Sequence, residues 1–207
     1  MTRQTKADNR QASSQQFSLP EADITLWPQW LADGVQQTLL QKLSKELPWS
    51  QDNITIFGKS VPIPRRQVWM GDAHCQYQYS GTRFIPKPWH EEVRALAVQI
   101  SDFLSLPFNC VLLNFYADGS QHMGWHADNE PELGDNPYIA SLSLGALRRF
   151  DLKHRHQDYQ LNLGLGGGSL LLMGEGCQRA WLHRLPKQSK VTTPRVNLTF
   201  RYIKPGG

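Results

Sequence analysis

A chain of 207 residues, 40% hydrophobic and 19% charged, carries enough apolar material for one sizeable domain and is too short for two ordinary ones. No apolar run approaches the ~20 residues of a membrane span, and no apolar segment opens the chain, so the sequence predicts a cytoplasmic protein with no helical anchor. The net charge of +4 and pI near 9.0 permit a polyanionic partner without requiring one, and three scattered cysteines, Cys75, Cys110 and Cys177, argue against a disulfide framework or a cysteine-based zinc site.

Residues 1–18 are rich in Gln, Ser, Thr, Lys and Arg with almost no apolar content, which predicts a disordered polar leader before a single domain spanning 19–207. Asp33 is placed to cap a helix running to about Leu47, because Val35, Leu39, Leu43 and Leu47 form one stripe suited to packing on a sheet. From Ile54 to Gly81 short strands alternate with turns, and Tyr77 and Tyr79 share a face. Pro86 and Pro88 lead into a second helix, in which Val93, Leu96, Ala97, Ile100, Phe103 and Leu104 follow helical spacing up to Pro107. Its Glu91, Glu92 and Arg94 read as a solvated face.

Beyond Cys110 the pattern is one of successive strands at 110–117, 121–128, 138–145, 149–154, 158–163, 169–173, 179–183 and 195–203. Many short strands after two helices predict a mainly β fold with flanking helices, in which a barrel or jelly roll is buttressed from outside. The glycine run 164–168 lacks the Lys-Ser/Thr of a phosphate loop and precedes a strand, so it reads as a turn.

Within this β region, alternation places His126 and Asp128 on one strand face, with Asn114 and Tyr116 together on the strand before. An inner face carrying an imidazole, a carboxylate, an amide and a phenol is costly unless something satisfies those groups, and a metal with a small polar co-substrate would do so. His183, at a strand end before Pro186, is the candidate third ligand. Two histidines and one carboxylate leave coordination positions open, as in non-haem Fe(II) oxygenases. A hydrogen-bonded strand-end histidine is the plain alternative for His183. On the last strand Arg195, Asn197, Thr199 and Arg201 share one face and Val196, Leu198 and Phe200 the other. Two arginines about 20 Å apart along the backbone can bracket a dicarboxylate from opposite ends, whereas an exposed amphipathic edge strand would show the same pattern.

Asn114-x-Tyr116, His126-x-Asp128, His183 and Arg195-x-Asn197-Leu198-Thr199-Phe200-Arg201 together resemble the AlkB family of Fe(II)- and 2-oxoglutarate-dependent dioxygenases that dealkylate nucleic acids. The resemblance extends through Pro64-Arg65-Arg66-Gln67, Gly71-Asp72-Ala73, Tyr77-x-Tyr79-Ser80-Gly81 and Pro86-Lys87-Pro88-Trp89, covers about residues 54–203, and is nearest the subgroup acting on DNA duplexes. It implies a double-stranded β-helix, Fe(II) held by His126, Asp128 and His183, and 2-oxoglutarate held by Asn114, Tyr116, Arg195 and Arg201 with help from Asn197 and Thr199. The implied reaction consumes O2 and 2-oxoglutarate, hydroxylates the alkyl carbon on a base such as 1-methyladenine or 3-methylcytosine, and releases formaldehyde, succinate and CO2.

The same resemblance makes 54–90 a nucleotide-recognition region. Tyr79 and His126 would sandwich a flipped base, with Tyr77 and Ser80 lining the pocket and Glu130 at its polar edge. Phe57, followed by Gly58 and Lys59, matches a finger inserted into the base stack. Arg65, Arg66, Lys87, Arg148, Arg149, Lys153, His154 and Arg155 are candidates for phosphate contacts, which position a duplex without reading it. Asn129 stands where some relatives carry an acid. The implied protein is a monomer that meets DNA in the nucleoid or the nucleus. The alternatives are the same chemistry on RNA or single-stranded DNA, and hydroxylation of a protein or small molecule.

Overall fold

The computed structural model describes residues 13–56, 59–79 and 82–204, and the side chains of 54–56, 77–79 and 82–84 lie outside that description. Two antiparallel sheets face one another. The larger contains β1 (Gln15–Leu19), β2 (Ala22–Trp27), β5 (Arg66–Gly71), β8 (Cys110–Tyr116), β10 (Ile139–Gly145), β13 (Leu170–Met173) and β15 (Arg195–Arg201). They lie in the order β1-β2-β13-β10-β15-β8-β5. The smaller has the order β12-β11-β14-β9, from β9 (Met123–His126), β11 (Arg148–His154), β12 (Gln160–Leu165) and β14 (Trp181–Leu185). Two separate hairpins pair β3 (Asn53–Ile56) with β4 (Lys59–Pro62), and β6 (Tyr77–Tyr79) with β7 (Thr82–Phe84). Two stacked antiparallel sheets with helices outside form the expected jelly roll.

Helices α1 (Asp33–Glu46) and α2 (Glu91–Leu104) cover the outer face of the larger sheet. The alternation of β15 explains this arrangement: Val196, Leu198 and Phe200 point into the same apolar cluster as Leu39, Leu43, Val93, Leu96 and Ile100. A second cluster, including Ile24, Phe150, Leu152, Leu163, Leu165 and Trp181, fills the space between the sheets. β15 is therefore an internal strand, hydrogen-bonded to β10 and β8 on its two sides. All seven of its residues are buried, which removes the edge-strand alternative.

Four expectations are corrected. The polar leader does not extend to residue 18, because Gln15–Leu19 pairs with β2 in a hairpin turned at Pro20 and Glu21. Main-chain ladder bonds, with Phe17 and Leu19 laid on the inter-sheet cluster, order a segment whose composition is too polar to suggest a strand. Asp33 is not the cap of α1 but its first helical residue, after Ala32, where its charge still suits the helix N-terminus. Val35 is 49% exposed, and Gln36 takes its place on the buried face by accepting the Gly145 N–H at 3.0 Å. Finally, 179–180 is not strand: these residues close the short helix α3 (Cys177–Ala180), which leads directly into β14.

Among the described residues no helix is long and apolar enough to cross a membrane. The three thiols are free and buried. Cavity creation separates the two ends of the α1 stripe. Leu43→Ala is expected to lower the free energy of unfolding by about 2–5 kcal/mol, and Val35→Ala to change it by less than about 0.5 kcal/mol, in urea titrations.

Candidate metal centre and co-substrate pocket

His126 ends β9 and His183 sits mid-way along β14, and the two are direct partners across the antiparallel pair. Cross-strand pairing brings their rings to a centroid separation of 4.2 Å. Asp128 lies two residues beyond β9, so strand alternation is not what aims it. Its main-chain N–H donates to the Gln178 side-chain oxygen of α3 at 2.9 Å, and its carboxylate meets the Arg201 guanidinium at 2.8 Å. The candidate ligand atoms of His126, Asp128 and His183 all lie within 4.8 Å of one another.

The protonation states suit metal binding. The Nδ1 of His126 lies 2.8 Å from the Gly124 carbonyl, which can only accept, so Nδ1 carries the proton and Nε2 is left as a donor atom for a metal. Burial, reinforced by the neighbouring His126, pushes the His183 pKa down to about 3 and keeps that ring neutral. Burial also works to raise the Asp128 pKa, but Arg201 and the two imidazoles outweigh it and hold the carboxyl below its usual range. Two imidazoles and an ionised carboxylate match Fe(II) of the non-haem type.

Beside this cluster lies a pocket of about 450 Å³ lined by Asn114, Tyr116, Arg195, Asn197, Thr199 and Arg201 as well as the three candidate ligands. All six are buried. The Asn197 amide donates to the Ser141 hydroxyl at 2.8 Å and the Leu142 carbonyl at 3.1 Å, while Thr199 donates to the Asn197 oxygen at 3.2 Å. Arg195 donates from Nη2 to the Ser143 hydroxyl at 2.9 Å, but its buried Nε and Nη1 have no partner among the described residues. Burial lowers the Arg195 pKa to about 10, which leaves it a cation at neutral pH. A buried guanidinium with unmet donors is costly on its own and is satisfied by a carboxylate. The two arginines are not equivalent: Arg201 is paired with the Asp128 carboxylate, whereas Arg195 meets the Ser143 hydroxyl.

The remaining expectations divide. Arg65 is half-buried, and its Nε donates to the Asn114 side-chain oxygen at 2.8 Å. That bond turns the Asn114 amide so that its NH2 is the end left to donate. Glu130 borders a second cavity with Trp69, Glu132, Leu133, Arg201 and Ile203, and Arg201 lines both this cavity and the pocket of the candidate ligands. Arg148 and His154 are not surface cations. Arg148 is 1% exposed, held by main-chain and amide oxygens, and His154 is 5% exposed, bonded to Glu21 at 3.1 Å while its Nδ1 accepts two main-chain N–H groups.

Lys59, Arg66, Lys87, Arg149 and Arg155 are exposed. Arg66 lies over the Phe115 ring, Arg149 pairs with Asp151, and Lys153 lies 4.7 Å from the centre of the Trp125 ring. Phe57, Gly58 and Ser80 fall outside the described residues, as do the side chains of Tyr77 and Tyr79. Ser141, Ser143 and Gln178 were not among the sequence candidates. The alternation Ser141-Leu142-Ser143-Leu144 held a signal for the two serines, whereas Gln178 had none because it falls between two predicted strands and no helix was expected there.

Residues 23–201 match the description "2OG-Fe(II) oxygenase superfamily". The chain belongs to the 2OG-Fe(II) oxygenase superfamily. Its relatives place it in the AlkB family. It is 38% identical over 176 residues to the human DNA oxidative demethylase ALKBH2, a match covering 80% of this chain and 67% of that protein. Human alpha-ketoglutarate-dependent dioxygenase alkB homolog 3 is 34% identical over 192 residues, covering 88% of this chain and 66% of that protein. The Arabidopsis thaliana DNA oxidative demethylase ALKBH2 is 32% identical over 193 residues, covering 80% of this chain and 62% of the relative. The matches thus span about two thirds of the length of these relatives. Among solved structures, that of OsALKBH1 superimposes with a TM-score of 0.61 at 19% identity, covering 90% of this chain and 99% of the other, which supports the fold alone. Membership of the 2OG-Fe(II) oxygenases accounts for both a metal cluster and a buried acid grip in one AlkB-type pocket.

Two effects are expected of Asp128→Ala. Affinity for Mn(II), a redox-quiet probe of the Fe(II) site, should fall at least about tenfold in an EPR titration. Unfolding in urea should be easier by about 3–5 kcal/mol, because Arg201 is left buried without its partner. Retained metal affinity would remove Asp128 from the ligand set.

Proposed function

We propose that this chain is an Fe(II)- and 2-oxoglutarate-dependent oxidative dealkylase of N-alkylated bases such as 1-methyladenine and 3-methylcytosine in DNA. One observation carries the reading: the compact His126, Asp128 and His183 cluster opens into the same pocket as the unpaired buried donors of Arg195. The names of two relatives, DNA oxidative demethylases from human and Arabidopsis thaliana, support the choice of DNA.

His126, Asp128 and His183 would hold the iron, which, with O2 and 2-oxoglutarate, supplies the oxidising power to hydroxylate an alkyl carbon. The chain's own residues prepare that chemistry. Arg195 would take one carboxylate of the co-substrate through Nε and Nη1, and the Tyr116 phenol, whose pKa burial raises, stays neutral as a possible donor beside it. Asn114, turned by Arg65, would present its NH2 to the co-substrate. Enclosure of these groups excludes bulk water, so their directed hydrogen bonds act at low local dielectric. The hydroxylated methyl group would then leave as formaldehyde, restoring the base, while 2-oxoglutarate is converted to succinate and CO2.

Damaged bases that cannot pair are easiest to take out of the stack, which favours blocked adenine and cytosine as substrates. Lys59, Arg66, Lys87, Lys153 and Arg155 are the cations left to meet phosphates, with Arg149 partly engaged by Asp151. A preference for duplex would rest on Phe57 as an inserted wedge, with Tyr77, Tyr79 and Ser80 around the flipped base and Asn197 and Thr199 bracing the co-substrate. Such a substrate would place the protein with cellular DNA.

Mass spectrometry of a 1-methyladenine oligonucleotide, single-stranded and paired, tests the proposal in the presence of Fe(II), ascorbate and O2. Loss of one methyl mass only when 2-oxoglutarate is added is the expected result. Consumption of 2-oxoglutarate with the oligonucleotide intact would move the substrate to another lesion, RNA or a protein. In the same assay Arg195→Met should raise KM for 2-oxoglutarate at least about tenfold, the scale of a lost charge-assisted hydrogen bond.

A further inference from the structure

Arg148 opens β11 and is one of the most deeply buried large side chains, yet among the described residues it pairs with no side-chain carboxylate. Its guanidinium instead donates to four neutral oxygens. Nε reaches the Gln188 amide oxygen at 3.2 Å and Nη1 the Asp118 carbonyl at 3.1 Å, while Nη2 reaches the carbonyls of Gln121 at 2.9 Å and Pro186 at 2.8 Å. These acceptors belong to two different loops: 117–122, which joins β8 to β9, and 186–194, which joins β14 to β15.

The two loops are also bonded to each other. Gly119 N–H donates to the Val191 carbonyl at 2.8 Å, and Gln188 N–H donates to the Gly119 carbonyl at 2.8 Å. A Cβ at Gly119 would stand 1.8 Å from the Gln188 carbonyl oxygen, so the approach is possible only with glycine there. The Gln188 amide oxygen accepts a second bond from the Arg149 main chain at 2.7 Å, which ties the clamp to β11. Planar guanidinium is the one side chain able to bridge this many fixed acceptors at once.

The loops matter for what they lead into. Loop 117–122 begins directly after Tyr116, and loop 186–194 ends directly before Arg195. Tyr116 and Arg195 are cross-strand partners, and the guanidinium carbons of Arg195 and Arg148 lie 5.7 and 5.8 Å from the centre of the Tyr116 ring. Arg148 thus holds, from outside the pocket, both chain segments that deliver its acid-binding end.

We propose that Arg148 is a positioning residue for the co-substrate: by cross-bracing loops 117–122 and 186–194 it sets Tyr116 and Arg195 at the spacing that grips the carboxylate of 2-oxoglutarate. This role rests on the co-substrate reading above and replaces the phosphate contact that the sequence suggested. It also gives a use to a buried cation that touches none of the reacting groups. Loss of the brace lets the acid grip drift without removing any group that touches the co-substrate.

Isothermal titration of 2-oxoglutarate into the full chain loaded with Mn(II), without O2, tests this in wild type, Arg148→Lys and Gln188→Ala. Lysine keeps the charge but is a point donor that cannot span two loops, so its Kd for 2-oxoglutarate should rise about tenfold, the scale of a lost supporting hydrogen-bond partner. Gln188→Ala removes one acceptor from a half-buried loop side chain and should raise Kd by a smaller factor. It keeps the test alive should the lysine variant fold poorly. Hydrogen exchange at Gly119 and Val191 should quicken in both. Mn(II) affinity and binding to a methylated duplex, followed by fluorescence anisotropy, should match wild type.

Wild-type Kd values in both variants, even with lowered melting temperatures, would reduce Arg148 to general scaffolding and overturn the proposal. Unchanged 2-oxoglutarate binding together with weakened duplex binding and a salt slope smaller by about one would restore the phosphate contact instead. Absence of 2-oxoglutarate binding in wild type would sink the co-substrate reading itself, a result distinct from either.

Discussion

The ion pair between Arg201 and Asp128 is the interaction on which the site depends. Both side chains are almost fully buried, and the pair joins the end of the central strand β15 to the segment that follows β9 across the space between the sheets. A carboxylate in that position without a cation would take up a proton and cease to be a metal ligand. Arg201 keeps it ionised. The metal centre is therefore a property of two sheets held in register: cross-strand pairing sets the histidines, and an inter-sheet ion pair sets the carboxylate.

Around that pair the barrel interior is unusually polar for a core. Asn197, Thr199 and Ser141 satisfy one another or the main chain, and the Ser143 hydroxyl accepts from Arg195, which limits the desolvation cost of placing them there. Arg195 breaks the pattern, with two donors left without a partner among the described residues, which is the observation behind the proposed acid-binding role. Arg148 shows the opposite economy. Four of the five N–H groups of its guanidinium are met by loop carbonyls and one amide, so it acts on shape instead of on ligands.

The distribution of cations changes the picture of nucleic-acid contact. Arg65, Arg148 and His154 all turn inward, to Asn114, to two loops and to Glu21 respectively. None of the three reads differently from Arg66 or Arg155 in a sequence, because charge alone carries no information on burial. Partners decide it. Arg148 has four oxygens converging from segments some 30 and 40 residues away in the chain, and the cluster exists only after both loops have closed.

By itself the sequence determined the period-two alternation of β15, with Val196, Leu198 and Phe200 toward the helices and Arg195, Asn197, Thr199 and Arg201 toward the interior. It also determined the two amphipathic helices, the mainly β class and the donor types of the metal cluster, because periodicity and residue chemistry are local properties. The tertiary structure decided what local pattern cannot encode. It decided that Gln15–Leu19 joins a sheet through its main chain, that α1 buries Gln36 and exposes Val35, and that a four-residue helix brings Gln178 to Asp128. It decided, too, that Arg201 serves Asp128 while Arg195 stays open. Each of these depends on groups distant in the chain meeting out of water, where an unpaired charge or amide is costly and partners must be found across the fold.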